Sequence, residues 1–268
     1  MCRLYGVSRA GFYAWRHRRP SRRQKQDEPL ARRIATIYAK SRKIYGSPRI
    51  HGALRKQGIR VGRKRVARLM RQQALKGRSA RIYLKKAKQK KYFSGIPNHC
   101  RGVVLNRPNQ VWLGDITYLK VAGRWRYLAV VMDKYSRRIV GWNFGRNKGL
   151  ELTMGAFNRA VVARKPEPGL IFHTDRGTEY AAFAFRDRLA ELGCIQSMNR
   201  PAAKLTDNAH MESFFHSMKA EGVHGVTFKD GRSALGFVRG YMPFYNNRRL
   251  HSSLDYMTPS EFEATIAQ

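Results

Sequence analysis

Between residues 1 and 100 the chain carries 30 Lys and Arg against two acids, Asp27 and Glu28, a net charge of +28. A compact domain with that surplus repels itself unless a polyanion offsets it. Residues 101–268 carry 24 Lys and Arg with 15 acids, a net +9, so a strongly basic front half precedes a more ordinary globular half. The total of +37 over 268 residues points to nucleic acid or an anionic membrane surface as partner. No apolar run approaches the roughly 18 residues of a membrane span. The opening Met1–Arg23 is too rich in Arg and too poor in apolar residues for a signal peptide. Cys2, Cys100 and Cys194 are widely spaced, without a CxxC pair, and read as reduced thiols rather than a disulfide or zinc framework.

The basic half is patterned for helices. In GVSRAGFYAWRHRR, Ser8 is a cap for a helix whose Phe12 and Trp15 are spaced for one buried face, with Arg9, Arg16 and Arg18 outside. That helix reads either as a major-groove element or as a solvated basic face. Residues 20–26 read as a basic linker. Leu30, Ile34, Ile37 and Tyr38 follow at helical spacing. Ser47 and Pro48 then open a second helix that Gly58 stops. In GRKRVARLMRQQALKG, Val66, Leu69 and Met70 form an apolar stripe, with Lys64, Arg65, Arg68 and Arg71 on the outer side. Three short helices with tight connections suggest a helix-turn-helix bundle. RSARIYLKKAKQKKY, residues 78–92, lacks acids and reads as an extended arm that orders on DNA.

From Val111 the texture changes. VWLGDITYLKV, GRWRYLAVVMD and SRRIVGWNFG form a three-strand meander. Helix 151–164, strand LIFHT, helix 181–192, strand CIQSMN and helix 207–221 complete a mixed sheet flanked by helices. Asp115 falls mid-strand between apolar neighbours, where a carboxylate is costly unless it faces a site. Asp175 follows the fourth strand, at an end where ligands gather in such sheets. On the last helix Met211, Phe214, Phe215 and Met218 run i, i+3, i+4, i+7 as a core stripe. Asn208, Glu212, His216 and Lys219 form a polar stripe beside it, and Thr206 or Asp207 caps the helix. Taken on that helix alone, the plainer reading of Glu212 is a surface residue contacting His216. Together with Asp115 and Asp175 it makes a set of three carboxylates whose crowding raises their pKa values unless Mg²⁺ or Mn²⁺ joins them. Two such ions suit phosphodiester chemistry.

These segments resemble the OrfB half of insertion-sequence-three-type transposases, which share the ribonuclease-H-like core of retroviral integrases. YGSPRIHGALRKQGIRVGRKRVARLM resembles the family's helix-turn-helix region. QVWLGDITYL, HTDRGTEY, SMNRPAAKLTDNAHMESFFHSMKAE and YNNRRLHSSLDYMTPSEFE resemble its core and C-terminal tail. The resemblance implies a ribonuclease-H-like mixed five-stranded α/β core preceded by an all-α helix-turn-helix region. The boundaries expected are 1–26 (partial helix-turn-helix and linker), 27–77 (helix-turn-helix), 78–106 (basic arm), 107–224 (catalytic core) and 225–268 (helical tail). It also implies that Asp115, Asp175 and Glu212 are the catalytic and metal-binding DDE triad. The implied cofactor is two Mg²⁺ or Mn²⁺ ions, and the implied reaction is nicking at element ends with strand transfer by a 3′-hydroxyl. Lys219 matches a basic position expected to contact the element end. His216 and Asn208 on the same helix, and Arg49, Arg63, Lys64, Arg65 and Arg68 in the basic half, are the other candidate DNA contacts.

The expected partners are double-stranded DNA at terminal inverted repeats and at the target, further copies of the chain, and an upstream OrfA frame. No membrane partner is expected, and the expected location is the bacterial cytoplasm at the nucleoid. Three features depart from the family pattern. The interval between the second and third acids is slightly long, with 36 residues between them. Ala202 and Ala203 stand where relatives often carry Gly. The chain also begins inside what resembles a first helix-turn-helix. Two other functions fit parts of the pattern: a non-catalytic DNA-binding regulator or decayed transposase fragment that leaves the acids unused, and a nuclease acting on RNA–DNA hybrids.

Overall fold

A computed structural model describes residues 2–19, 21–78, 95–200 and 208–266. The chain divides into two compact units, Met1–Gly77 and Arg78–Gln268. Most of the proposed arm, and Ala202, Ala203, Thr206 and Asp207, lie outside the described residues.

The first unit holds α1 (Arg9–Arg16), α2 (Arg22–Lys40), α3 (Ser47–Lys56) and α4 (Arg63–Gln72). Ile34, Ile50, Leu54 and Val66 are fully buried, with Ile37, Leu69 and Met70 around them, so the apolar stripes of α2, α3 and α4 close on one another. α2 begins earlier than the linker reading of 20–26 allows. Ser21 and Gln24 form a capping box, Ser21 Oγ accepting from Gln24 N at 3.2 Å and Ser21 N donating to Gln24 Oε1 at 2.7 Å. α3 takes Gly46 rather than Ser47 as its N-cap. The expected buried face of α1 is absent: no residue of that helix is buried and Trp15 is 69% exposed.

Asp27 has a defined structural role in this cationic surface. Its two oxygens accept Arg65 Nε at 2.7 Å and Arg68 Nη2 at 2.5 Å, tying α2 to α4. The Arg68 hydrogen bond, with help from Arg65, outweighs burial and holds the Asp27 carboxyl below its ordinary range.

The second unit is built on β1 (Val111–Val121), β2 (Arg124–Asp133), β3 (Ile139–Gly145), β4 (Ile171–Thr174) and β5 (Ile195–Met198), in the order β3-β2-β1-β4-β5. β1 pairs antiparallel with β2, and β2 with β3, while β1–β4 and β4–β5 are parallel. The helices are α5 (Leu150–Arg164), α6 (Thr178–Ala181), α7 (Phe183–Glu191), α8 (Ala209–Gly222), α9 (Gly231–Asn247) and α10 (Pro259–Ala264). The helix expected over 181–192 is α7, which starts at Phe183 because Ala182 is extended (φ −58°, ψ 138°).

Trp112, Val131, Phe157, Phe172 and Phe185 form one core with α5 and α7. The alternate strand residues Leu113, Leu128 and Val130 are buried too, so both faces of the sheet are covered. α8 packs against β1 and α9 against β3. Backbones approach closely at Gly141, where a Cβ would run into the Ala156 carbonyl of α5.

The short α10 is fastened by one acid. Glu263 accepts from Arg164 Nη2 at 2.6 Å, from Arg138 Nη1 at 2.6 Å and from Ser136 Oγ at 2.7 Å. Burial alone would raise its pKa, but these donors win and hold it below the ordinary value. A depressed carboxylate contributes stability that is present above its unfolded pKa and is lost as pH falls through the folded value. Glu263→Gln is therefore expected to destabilise the fold by about 1.5–3 kcal/mol at pH 7. Denaturant melts should show that penalty shrinking as the pH is lowered into the acid range, whereas a pH-independent penalty would mean packing rather than charge.

Candidate active site

β1 and β4 run parallel in the register Gly114↔Thr174. Asp115 comes next on β1 and Asp175 directly follows the end of β4, so the pairing itself brings the acids side by side. The approach is close enough that a Cβ on Gly114 would meet the Phe172 ring at 2.7 Å. Glu212 lies in the first turn of α8, which packs on β1, and is exposed. The core stripe expected on this helix is present: Met211, Phe214, Phe215 and Met218 are all buried.

The acids of this unit fall into two groups. Asp133, fully buried, accepts from the backbone N–H groups of Asn109, Tyr135 and Ser136 and from Ser136 Oγ. Glu221 is held by Arg249 and Tyr241, and Glu263 by the donors above. Those three are structural. Among the described residues Asp115 accepts only its neighbour's N–H, Ile116 N at 2.7 Å, and Asp175 only Gly177 N at 3.1 Å. The Glu212 carboxylate accepts no hydrogen bond among the described residues, its backbone N–H donating to Asn208 O at 3.2 Å.

Their electrostatics follow. Burial, then the charge of Asp175, and more weakly that of Glu212, push the Asp115 carboxyl well above its usual range, against the Ile116 N–H and Lys148. Burial also raises Asp175, against the Gly177 N–H and Lys148, and burial raises Glu212. Asp115 and Asp175 are thus the close pair, with Glu212 near enough for its charge to reach Asp115. Among the described residues no three His, Cys, Asp or Glu side chains are grouped tightly enough to ligate one ion. The donor set is nevertheless all-oxygen and short of donors, which suits a hard divalent cation.

Two residues the sequence reading passed over stand at this site. Lys148, in the turn before α5, places Nζ 3.1 Å from Glu179 Oε1, and its charge offsets those of both aspartates. Glu179 is only 10% exposed and its other oxygen has no partner among the described residues. The one sequence signal was the acid inside HTDRGTEY itself.

Of the candidate DNA contacts on α8, Lys219 is half-buried with Nζ 4.6 Å from the Tyr118 ring centroid, and its charge interacts with Asp115. His216 is half-buried. Asn208 departs from expectation: it is buried at the N-cap of α8, so it does not share the open polar stripe. In the first unit Arg63 and Lys64 are exposed, Arg65 and Arg68 are engaged by Asp27, and the Arg49 guanidinium lies 5.7 Å from the Tyr45 ring centroid.

A five-stranded mixed sheet with one acid on the central strand, a second beside it and a third on a following helix defines a ribonuclease-H-like integrase core. Sequence comparison agrees: the Integrase core domain family matches residues 106–204, a second family of that description matches 212–265, and an HTH-like domain matches 25–83. The insertion element IS600 31 kDa protein of Shigella sonnei is 35% identical over 100% of this chain and 99% of its own. The IS904 transposase of Lactococcus lactis is 35% identical over 92% and 98%, and transposase InsF of IS3A from Escherichia coli 34% identical over 98% and 92%. The chain belongs to the IS3 family of insertion-sequence transposases. The HTLV-2 integrase catalytic core solved with magnesium, in its trimeric form, aligns over 59% of this chain and 97% of its own at 15% identity and a TM-score of 0.46. No helix among the described residues is long and apolar enough to cross a membrane.

Proposed function

We propose that this chain is the catalytic subunit of a DDE transposase, a polynucleotidyl transferase that cuts DNA at the ends of an insertion element and joins them to target DNA. The observation that carries the reading is that, among the described residues, Asp115, Asp175 and Glu212 lack the side-chain donors that hold Asp133, Glu221 and Glu263, yet are close enough for their charges to interact. Asp115 and Asp175 are the ligands fixed by the sheet, and Glu212 completes the set from α8. Two Mg²⁺ or Mn²⁺ ions, when bound, supply activation of the attacking oxygen and stabilisation of the leaving oxygen.

The chain's own contribution is position. The parallel register sets the aspartates, the α8 core stripe aims Glu212, and Lys219 and His216 offer cationic and polar contacts to the DNA end. Arg49, Arg63, Lys64, Arg65 and Arg68 serve phosphate contact in the first unit, with Asp27 orienting the last two. Double-stranded element ends and target are the substrates. The chain acts as a homo-oligomer on paired ends, with an upstream OrfA-type partner completing end recognition.

The test is a labelled duplex carrying the element's terminal inverted repeat, incubated with this chain, the upstream-frame protein and Mg²⁺. End-specific nicks and joined products, both abolished by chelation, are expected. Duplex binding without any Mg²⁺-dependent product would establish the regulator reading instead, and cleavage confined to RNA–DNA hybrids would establish the nuclease.

A further inference from the structure

The β1–β2 hairpin leaves two large aromatic rings in the open, Tyr118 on β1, the strand that carries Asp115, and Trp125 on β2. Tyr118 is 55% exposed and Trp125 50% exposed, and their rings meet edge to face with centroids 4.9 Å apart. The register makes them diagonal neighbours: Tyr118 lies opposite Tyr127, and Trp125 opposite the exposed Lys120. Lys219 Nζ sits 4.6 Å from the Tyr118 centroid, and Arg124, next to Trp125, is exposed. Neither ring is needed by the sheet core, whose buried residues lie elsewhere on the two strands.

We propose that Trp125, braced by Tyr118 and Lys219, is a stacking platform for an unpaired base at the end of the DNA being processed. This rests on the reading that Asp115 belongs to a DNA-cutting site. Trp125 is the stacking ring because Lys219 already lies over Tyr118. The occupant follows from charge: a patch edged by Lys120, Arg124 and Lys219 on a chain of net charge +37 repels a second copy of itself and attracts a polyanion. Distance fits as well. Trp125 pairs with Lys120, five residues along β1 from Asp115, about 17 Å at strand rise. That is roughly five nucleotide steps at about 3.4 Å each. Aromatic rings hold any base by its face, so the platform favours strand separation near the cut without reading sequence.

The experiment is equilibrium binding of the full chain, in chelator at one fixed salt concentration, to two duplexes of equal length that share one strand. One is fully paired and the other has its last five pairs mismatched. The wild-type chain is expected to prefer the frayed duplex by about five- to a hundredfold, the range that stacking one base supplies. Trp125→Ala should reduce that preference to about one, while Trp125→Phe retains most of it and both variants keep the wild-type circular dichroism. An unchanged preference in Trp125→Ala, or none in the wild-type chain, overturns the platform. If Trp125→Ala instead alters the sedimenting mass and not the preference, the patch joins copies of the chain and the proposal is wrong. Failure of the transposase reading looks different: chelator removes catalysis from this assay, so the base preference survives even if no strand is ever cut.

Discussion

Asp115→Asn is expected to lower Mg²⁺-dependent strand transfer by at least about a thousandfold. A metal-held oxygen contributes several kcal/mol of transition-state stabilisation, and each 1.36 kcal/mol is tenfold in rate. The substitution keeps the side chain's size and leaves an amide oxygen to accept the Ile116 N–H, so the local hydrogen bond survives. What it removes is charge that the fold does not use. Because burial and Asp175 raise the Asp115 pKa, the folded state holds a proton that the unfolded state has already released. Stability from that source is full below the ordinary carboxylate value and is lost as pH rises through the raised one.

Free of metal, then, the Asn variant should melt at or above the wild-type temperature at alkaline pH, while its activity is gone. A rate assay paired with a melt in chelator reads both. Activity and stability falling together would make Asp115 a structural acid, and undiminished strand transfer would end the enzyme reading.

Arg249→Met should give the largest loss of stability in the second unit. Arg249 and Glu221 are 4% and 3% exposed, joined at 2.7 Å, and the network includes Tyr241 Oη on Glu221 at 2.7 Å and Ser217 Oγ accepting from Arg249 Nη2 at 3.0 Å. Removing one partner of a buried pair strands the other charge and costs about 3–5 kcal/mol. For a domain of this size each kcal/mol moves the midpoint by about 2–4 °C, so the fall is roughly 6–20 °C. The double variant Glu221→Gln/Arg249→Met, with no charge left buried, should recover part of the loss. Equal melts for the single variant and wild type would contradict the account. Ser217 and Glu221 stand on α8, so this network also fixes the helix that presents Glu212.

Legibility in the sequence followed the range of the interaction. The meander from Val111 and the Met211/Phe214/Phe215/Met218 stripe are local periodicities, and both appear in the structure as read. The capping box at Ser21 was local too, but a run of charged residues masked it. Asp27 reaches arginines 38 and 41 positions away, and Glu221 one 28 positions away, and no spacing rule registers such pairs. Asn208 followed the polar stripe by period, but it sits at the helix cap, where the period no longer applies. Element positions singled out Asp115, Asp175 and Glu212, while their role as a DDE triad came from the family resemblance. That Asp115 and Asp175 are neighbours depends on the parallel β1–β4 register, which only the assembled sheet shows. Lys148 and Glu179 were hidden for the same reason, being brought together across the sheet end.

Anomalous diffraction from crystals of the chain grown in Mn²⁺ reads directly whether Asp115, Asp175 and Glu212 hold metal together. One or two Mn²⁺ peaks bounded by Asp115, Asp175 and Glu212 are the predicted result, two being about 3.5–4 Å apart. Crystals saturated with Mn²⁺ that show no peak between those carboxylates would contradict it.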